Sequence, residues 1–193
     1  MTERPILFSG PMVRAILDGS KTQTRRVIKP EWSRCLDLED DGDRAKAVAW
    51  CPYGAPGDRL CVREAFRLHV GRDGQSPTKA LETAELPLLT QYEADGADLT
   101  EALWHPGRLR PSIHMPRALS RLTLEITDVR VERVQEITPA DVFAEGVGEF
   151  VVSSPDVASE MFARLWDGIN GPRGFGWEAN PYVWVVGFKR VQP

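Results

Sequence analysis

Apolar and polar residues alternate most strictly from Leu122 to Val134 (LTLEITDVRVERV), which predicts a long strand with one buried face. A second strand is predicted from the strongly apolar run Tyr182 to Val191 (YVWVVGFKRV). Shorter strands are expected at Ile6-Leu7-Phe8, across Lys21 to Ile28 (KTQTRRVI) and across Arg59 to Glu64 (RLCVRE), the last after a Gly57-Asp58 turn. Lys29-Pro30 closes the second of these. Met12, Val13, Ile16 and Leu17 recur at helical spacing. Ser9-Gly10-Pro11 precedes them and Gly19 follows, so a short amphipathic helix is predicted over 11–18. Thr138-Pro139-Ala140-Asp141 opens another helix, with Thr as cap, Pro in the first turn and an acid facing the helix dipole; it ends near Glu145-Gly146. A third helix spans 156–168, with Val157, Met161, Leu165, Phe162 and Trp166 expected on one face.

Between these elements the pattern weakens. Residues 31–56 read as a loop or insertion with a short strand near Ala47–Cys51, and 70–107 as an insertion with a short helix near 79–86. Strands mixed with short helices and long loops predict an α+β domain built around a small barrel. One domain is expected over residues 1–193, with insertions at about 31–48 and 70–107.

Charge and composition narrow the partners. A net charge of −4 does not suit a protein that grips long duplexes, although a single base, a nucleoside or a short RNA element fits if the arginines cluster. Arg25, Arg26, Lys29, Arg117 and Arg121 are candidates for such a phosphate-facing patch, or are scattered surface charge. Of the tryptophans, Trp184 lies in an apolar strand and is expected in the core. Trp104 could stack a base, and Trp177, in the Gly174-Phe175-Gly176-Trp177 loop, is the better stacking candidate. The odd cysteine count (Cys35, Cys51, Cys61) and the lack of a leader-like segment suggest a reducing, cytoplasmic setting. No apolar run approaches the roughly 20 residues that span a bilayer, so no membrane association is expected. Cys51, Cys61, His105 and His114 match no standard zinc spacing, so no metal and no cofactor are expected; the cysteines read as partly buried free thiols and His114 as structural.

The segment Ile16-Leu17-Asp18-Gly19-Ser20-Lys21-Thr22-Gln23-Thr24-Arg25-Arg26 resembles the signature of ASCH domains of the PUA-like superfamily. In those domains a helix ends at Gly and a Gly-x-Lys-Thr-x-Thr/Glu-x-Arg strand follows. Further segments, in family order, resemble its phage and prophage members: Cys51-Pro52-Tyr53-Gly54 with Gly57-Asp58-Arg59-Leu60, Pro111 to Arg117 (PSIHMPR), Ile137 to Asp141 leading to Ala144-Glu145-Gly146, and Trp166 through Trp184. The resemblance implies a PUA-like β-barrel whose cleft holds RNA or a modified base. One bacterial branch is similar to amidohydrolases that remove the acetyl group from N4-acetylcytidine. The Lys, Thr and Glu of that branch fall on Lys21, Thr24 and Glu145, which the resemblance implies are catalytic. Arg25, Arg26, Arg117 and Trp177 are the candidate ligand-binding residues, and a modified nucleoside or RNA is the implied partner.

The chemistry is coherent. Thr24 offers a hydroxyl nucleophile, which needs a base. Lys21 serves if burial or the neighbouring Arg25 and Arg26 make its ammonium less favourable. Glu145 would protonate the leaving nitrogen. On an ideal strand Lys21 and Thr24 face opposite sides, so Lys21 is expected in the turn after Gly19, or the strand is bulged. Two rival readings stay open: a non-catalytic PUA-like module that binds RNA or a modified base, and an ASCH-type ribonuclease that cleaves phosphodiesters.

Overall fold

In the computed structural model, residues 1–33, 36–84, 90–96, 105–147 and 155–191 are described. In chain order the elements are β1 (Glu3–Leu7), α1 (Gly10–Asp18), β2 (Gln23–Val27), α2 (Pro30–Ser33), α3 (Asp41–Ala49), β3 (Arg59–Arg63), β4 (Phe66–Leu68), α4 (Pro77–Glu82), β5 (Thr90–Tyr92), β6 (Thr123–Arg133), α5 (Pro139–Ala144), α6 (Pro155–Asn170) and β7 (Tyr182–Val191). The α+β class read from the sequence is the class found.

Five strands form one sheet in the order β1-β3-β6-β7-β2, and β4 pairs with β5 separately. Only β1 and β3 run parallel within the five; the other neighbours are antiparallel. The two long strands, β6 and β7, pair along most of their length beside each other. Strand β7 lacks polar alternation because both its faces are covered. Trp184, Val186 and Phe188 join the main core with Ile6, Phe8, Val13, Ile16 and Leu124. Val183 and Val185 point the other way, into a second cluster with Val134, Val142, Phe162 and Trp166 under α5 and α6. Each such large side chain contributes on the order of 1.5–3 kcal/mol when taken out of water. β6 carries a bulge between Ile126 and Asp128.

The edge strands β1 and β2 lie at opposite ends of the sheet order, yet Arg26 Nη2 of β2 donates to Leu7 O of β1 at 2.8 Å. The sheet therefore curls until its edges approach each other. Helix α1 links these edges, with Pro11 in its first turn and a left-handed Gly19 (φ 85°) at its end.

Two sequence expectations are corrected. Ala47–Cys51 is not a strand, because Ala47 to Ala49 complete helix α3. The Asp40 carboxylate caps that helix by accepting from Asp43 N, and an alanine-containing DGDRAKAVA run favours helix over strand. The apolar residues of α6 do not share one face. Ala158, Phe162 and Trp166 are buried, whereas Val157, Met161, Leu165 and Ile169, spaced four apart, form an exposed stripe. A second stripe one residue offset is rotated by about 100° and cannot reach the same core. The short helix expected near 79–86 forms slightly earlier, with Ser76 capping α4. Near β4, β5 and α4, Phe66, Leu68, Ala80, Met115 and Leu119 make a smaller core of their own. No helix among the described residues is long and apolar enough to cross a membrane.

Candidate functional site

Between Gly19 and β2 the chain is clamped on three sides. Lys21 N donates to Ala15 O, Thr22 N to Ala144 O and Phe188 N to Thr22 O, each at 2.8 Å. Lys21 forms an isolated bridge with Glu145 before β2 begins at Gln23, so it lies in the turn and off the regular strand. Lys21 therefore occupies the turn position expected for it after Gly19. Glu145 is the C-cap of α5, whose start is fixed by a reciprocal pair: Thr138 caps Asp141 N and the Asp141 carboxylate accepts from Thr138 N. Gly146 follows with φ 75°, and a Cβ there would sit 3.0 Å from the Cβ atoms of both Lys21 and Ala15. Glycine at this position lets the two chain segments touch.

Lys21 and Glu145 are 2% and 7% exposed. Lys21 Nζ donates to Glu145 O at 2.7 Å and to Oε2 at 2.9 Å. Glu145 Oε1 accepts from Arg25 Nη1 at 3.3 Å. Arg25 Nη2 lies 3.0 Å from Glu132 Oε2 and 3.3 Å from Asp141 Oδ2. Arg130 closes the network, donating to Asp141 Oδ1 at 2.7 Å and to Gln23 Oε1 at 3.1 Å, and pairing with Glu132. Three cations (Lys21, Arg25, Arg130) thus face three carboxylates (Glu132, Asp141, Glu145) in a largely buried group. Balance of this kind is what makes buried charge tolerable. Burial pushes the Lys21 ammonium below its usual pKa, with Glu145 opposing the shift and Arg26 and Arg25 reinforcing it. For Asp141, burial is overcome by hydrogen bonds from Thr138 and by Arg25, which hold its carboxyl at about 2.

Thr24 and Arg25 are neighbours on β2 and point to opposite faces. Thr24 is 3% exposed. It lines a cavity of about 520 Å³ bounded by β1, β2 and α6. Glu145, Arg25 and Arg26 share that wall, while Lys21 sits behind Glu145. The Arg26 guanidinium lies over the Phe8 ring, 5.2 Å from its centroid. Burial lowers its pKa and nearby Arg173 adds to the effect, with Tyr53 and Glu145 opposing. The cavity mouth is apolar, with Leu7, Ile113, Leu165 and Ile169 all substantially exposed.

The remaining sequence candidates go elsewhere. Arg117 pairs with Glu3 (Nη2–Oε2 3.0 Å) and does not line the cavity. Arg121 is taken up by Glu64 and Asp95 and lies over Tyr92, 4.0 Å from its centroid. Trp177 packs its ring against Phe162 at 6.2 Å, behind the wall; the wall aromatics are Phe162, Trp166, Tyr53 and Phe175. Trp184 is in the core, His114 is exposed, and Trp104 lies outside the described residues. Arg63 and Arg173 line the cavity and were not picked out by sequence. Nothing in their local patterns marks them: Arg63 ends a short strand and Arg173 sits in a Gly-Pro-Arg-Gly turn. Cys51 and Cys61 are buried free thiols, and no group of three or more metal-ligating side chains occurs among the described residues.

No protein-family profile matches the sequence, and no curated protein matches it. Solved structures similar to the chain include the following two. One is an ASCH domain from Lactobacillus crispatus JV V101, at 11% identity and a TM-score of 0.43, with 98% of this chain and 79% of that one covered. The other is a protein of Enterococcus faecalis V583 described as DUF984, at 10% identity and a TM-score of 0.43, with 99% and 80% covered.

Proposed function

We propose that the cavity is the active site of a hydrolase that removes the acyl group from N4-acetylcytidine or a related modified base. The observation that carries this reading is a cavity wall that holds Thr24 and Glu145 together, with Lys21 paired to Glu145 at 2.9 Å behind it. The likeness of the Lys21–Arg26 segment to the acetylcytidine-hydrolase branch of ASCH domains supports it. A cavity of about 520 Å³ is in the range of small-molecule sites, and its aromatic and apolar wall suits a base.

In this mechanism a proton moves from Lys21 to Glu145 across their 2.9 Å contact, leaving an amine and a carboxylic acid side by side. Burial, which lowers the pKa of the Lys21 ammonium, eases this transfer. Thr24 Oγ attacks the amide carbonyl as Lys21 Nζ takes its proton. Arg26, on the same wall, faces the developing oxyanion. The C–N bond breaks as Glu145 protonates N4, releasing cytidine and leaving an ester on Thr24. Water, deprotonated by the pair, then attacks that ester and frees acetate, restoring the hydroxyl.

Incubation of the purified protein with N4-acetylcytidine tests the reading, with cytidine and acetate followed by chromatography. Release of both in equal amounts is expected. One observation favours a second reading, a module that binds the base without turnover: Lys21 Nζ spends its bonds on Glu145 and makes none to Thr24. That reading predicts saturable binding of N4-acetylcytidine and no product.

A further inference from the structure

The charges on the cavity wall are unevenly matched. Arg25 is neutralised by Glu132, Asp141 and Glu145. Arg26, Lys29, Arg63 and Arg173 also line the cavity, and none forms an ion pair with a carboxylate among the described residues. This surplus stands out on a chain whose net charge is −4. The Arg26 and Arg63 Nε atoms are buried and have no hydrogen-bond partner.

These cations converge for topological reasons. Leu7 and Arg63 are opposite each other in the parallel β1–β3 pair, so their side chains share a face. Arg26 crosses from the far edge of the sheet to donate to the Leu7 carbonyl. Arg26 and Arg63 therefore meet at the end of β1, where the curled sheet brings its edges together. Lys29 follows β2, and Arg173 comes from the turn after α6. Arg26 and Arg63 are half-buried and Lys29 and Arg173 exposed, so an anion with several acceptor oxygens can take charge-assisted hydrogen bonds from each of them. Leu7, Ile113, Leu165 and Ile169 border the same recess and offer an apolar seat to a flat ring.

Resting on the hydrolase reading of the site above, we propose that its preferred substrate is a nucleoside phosphate, with Arg63, Arg173 and Lys29 holding the phosphate while the base carries the acylated amine toward Thr24 and Arg26. A cavity of this volume seats a mononucleotide, and the acidic net charge does not suit a long RNA track.

Titration calorimetry at low ionic strength with cytidine, cytidine 5′-monophosphate and cytidine 3′-monophosphate tests this. The wild type is expected to bind one of the monophosphates at least about tenfold tighter than cytidine. Raised salt should shrink that advantage, because screening weakens charge attraction. In Arg63→Gln and in Arg173→Gln the advantage should fall to within about threefold while cytidine binding is unchanged. Arg173 lies in a surface turn, so its variant remains informative if Arg63→Gln fails to fold. Equal affinity for cytidine and both monophosphates in the wild type would overturn the proposal, as would an advantage that survives in folded Arg63→Gln and Arg173→Gln. If N4-acetylcytidine is not turned over, the hydrolase reading fails separately. The phosphate site is then judged by inorganic pyrophosphate, where a rise in melting temperature that is lost in Arg173→Gln supports it and no rise overturns it.

Discussion

Single residues at this site act through what they leave behind when changed. Gly146 shows it most simply, because its left-handed backbone and the 3.0 Å approach to Lys21 and Ala15 both exclude a side chain. Gly146→Ala is expected to cost about 1–3 kcal/mol of stability in urea unfolding, from backbone strain plus overpacking. It should also weaken activity, since relief of the clash moves Lys21. Arg25 makes the complementary case. Arg25→Ala would leave Glu132, Asp141 and Glu145 without their shared guanidinium, and a loss of about 3–5 kcal/mol is expected. Arg25→Lys should recover only part of it, because one ammonium cannot span the same fork. A Lys variant as stable as the wild type would show that charge alone, without the planar geometry, holds the network.

At the scale of elements, α5 is the lever of the site, because the Glu145 carboxylate directly follows it and its first turn carries Asp141. Thr138→Ala removes the cap and is expected to cost about 1 kcal/mol. The Asp141 carboxyl is held at about 2, below its ordinary 3.8, so the sign of its pH dependence follows directly. Its contribution is complete above about pH 4 and is lost as pH falls through about 2. Asp141→Asn should lower stability at neutral pH by about 1–2 kcal/mol and flatten the acid loss between pH 4 and 2. An unchanged acid profile in denaturant melts at stepped pH would contradict this.

The elements also show how much the sequence disclosed. Strands β6 and β7 and helices α1, α5 and α6 announced themselves, because burial imposes their periodicity or their caps are local. Lys21, Thr24 and Glu145 could be named from motif resemblance. What no local pattern carried was the curl of the sheet. It brings Arg26 to Leu7 and Arg63, and it leaves Arg117 and Trp177 off the wall. The strand expected at Ala47–Cys51 went wrong for a local reason, since a capped helix with only Ala47 buried has too little apolar periodicity to register.

At the scale of the whole molecule, an acidic chain with a basic recess should discriminate by size. Duplex DNA is expected to bind no tighter than weak nonspecific complexes, with Kd above about 0.1 mM at physiological salt. Micromolar duplex binding in a fluorescence anisotropy titration would contradict the reading of a single-base site. The central claim is that Lys21, Thr24 and Glu145 act as one unit on a ligand held in that recess. The most direct test compares turnover of N4-acetylcytidine with its dissociation constant in the wild type and in Thr24→Ala. The account predicts that Thr24→Ala lowers kcat by at least about a thousandfold, with the dissociation constant within about threefold of wild type. Turnover within about tenfold of wild type in Thr24→Ala would contradict it.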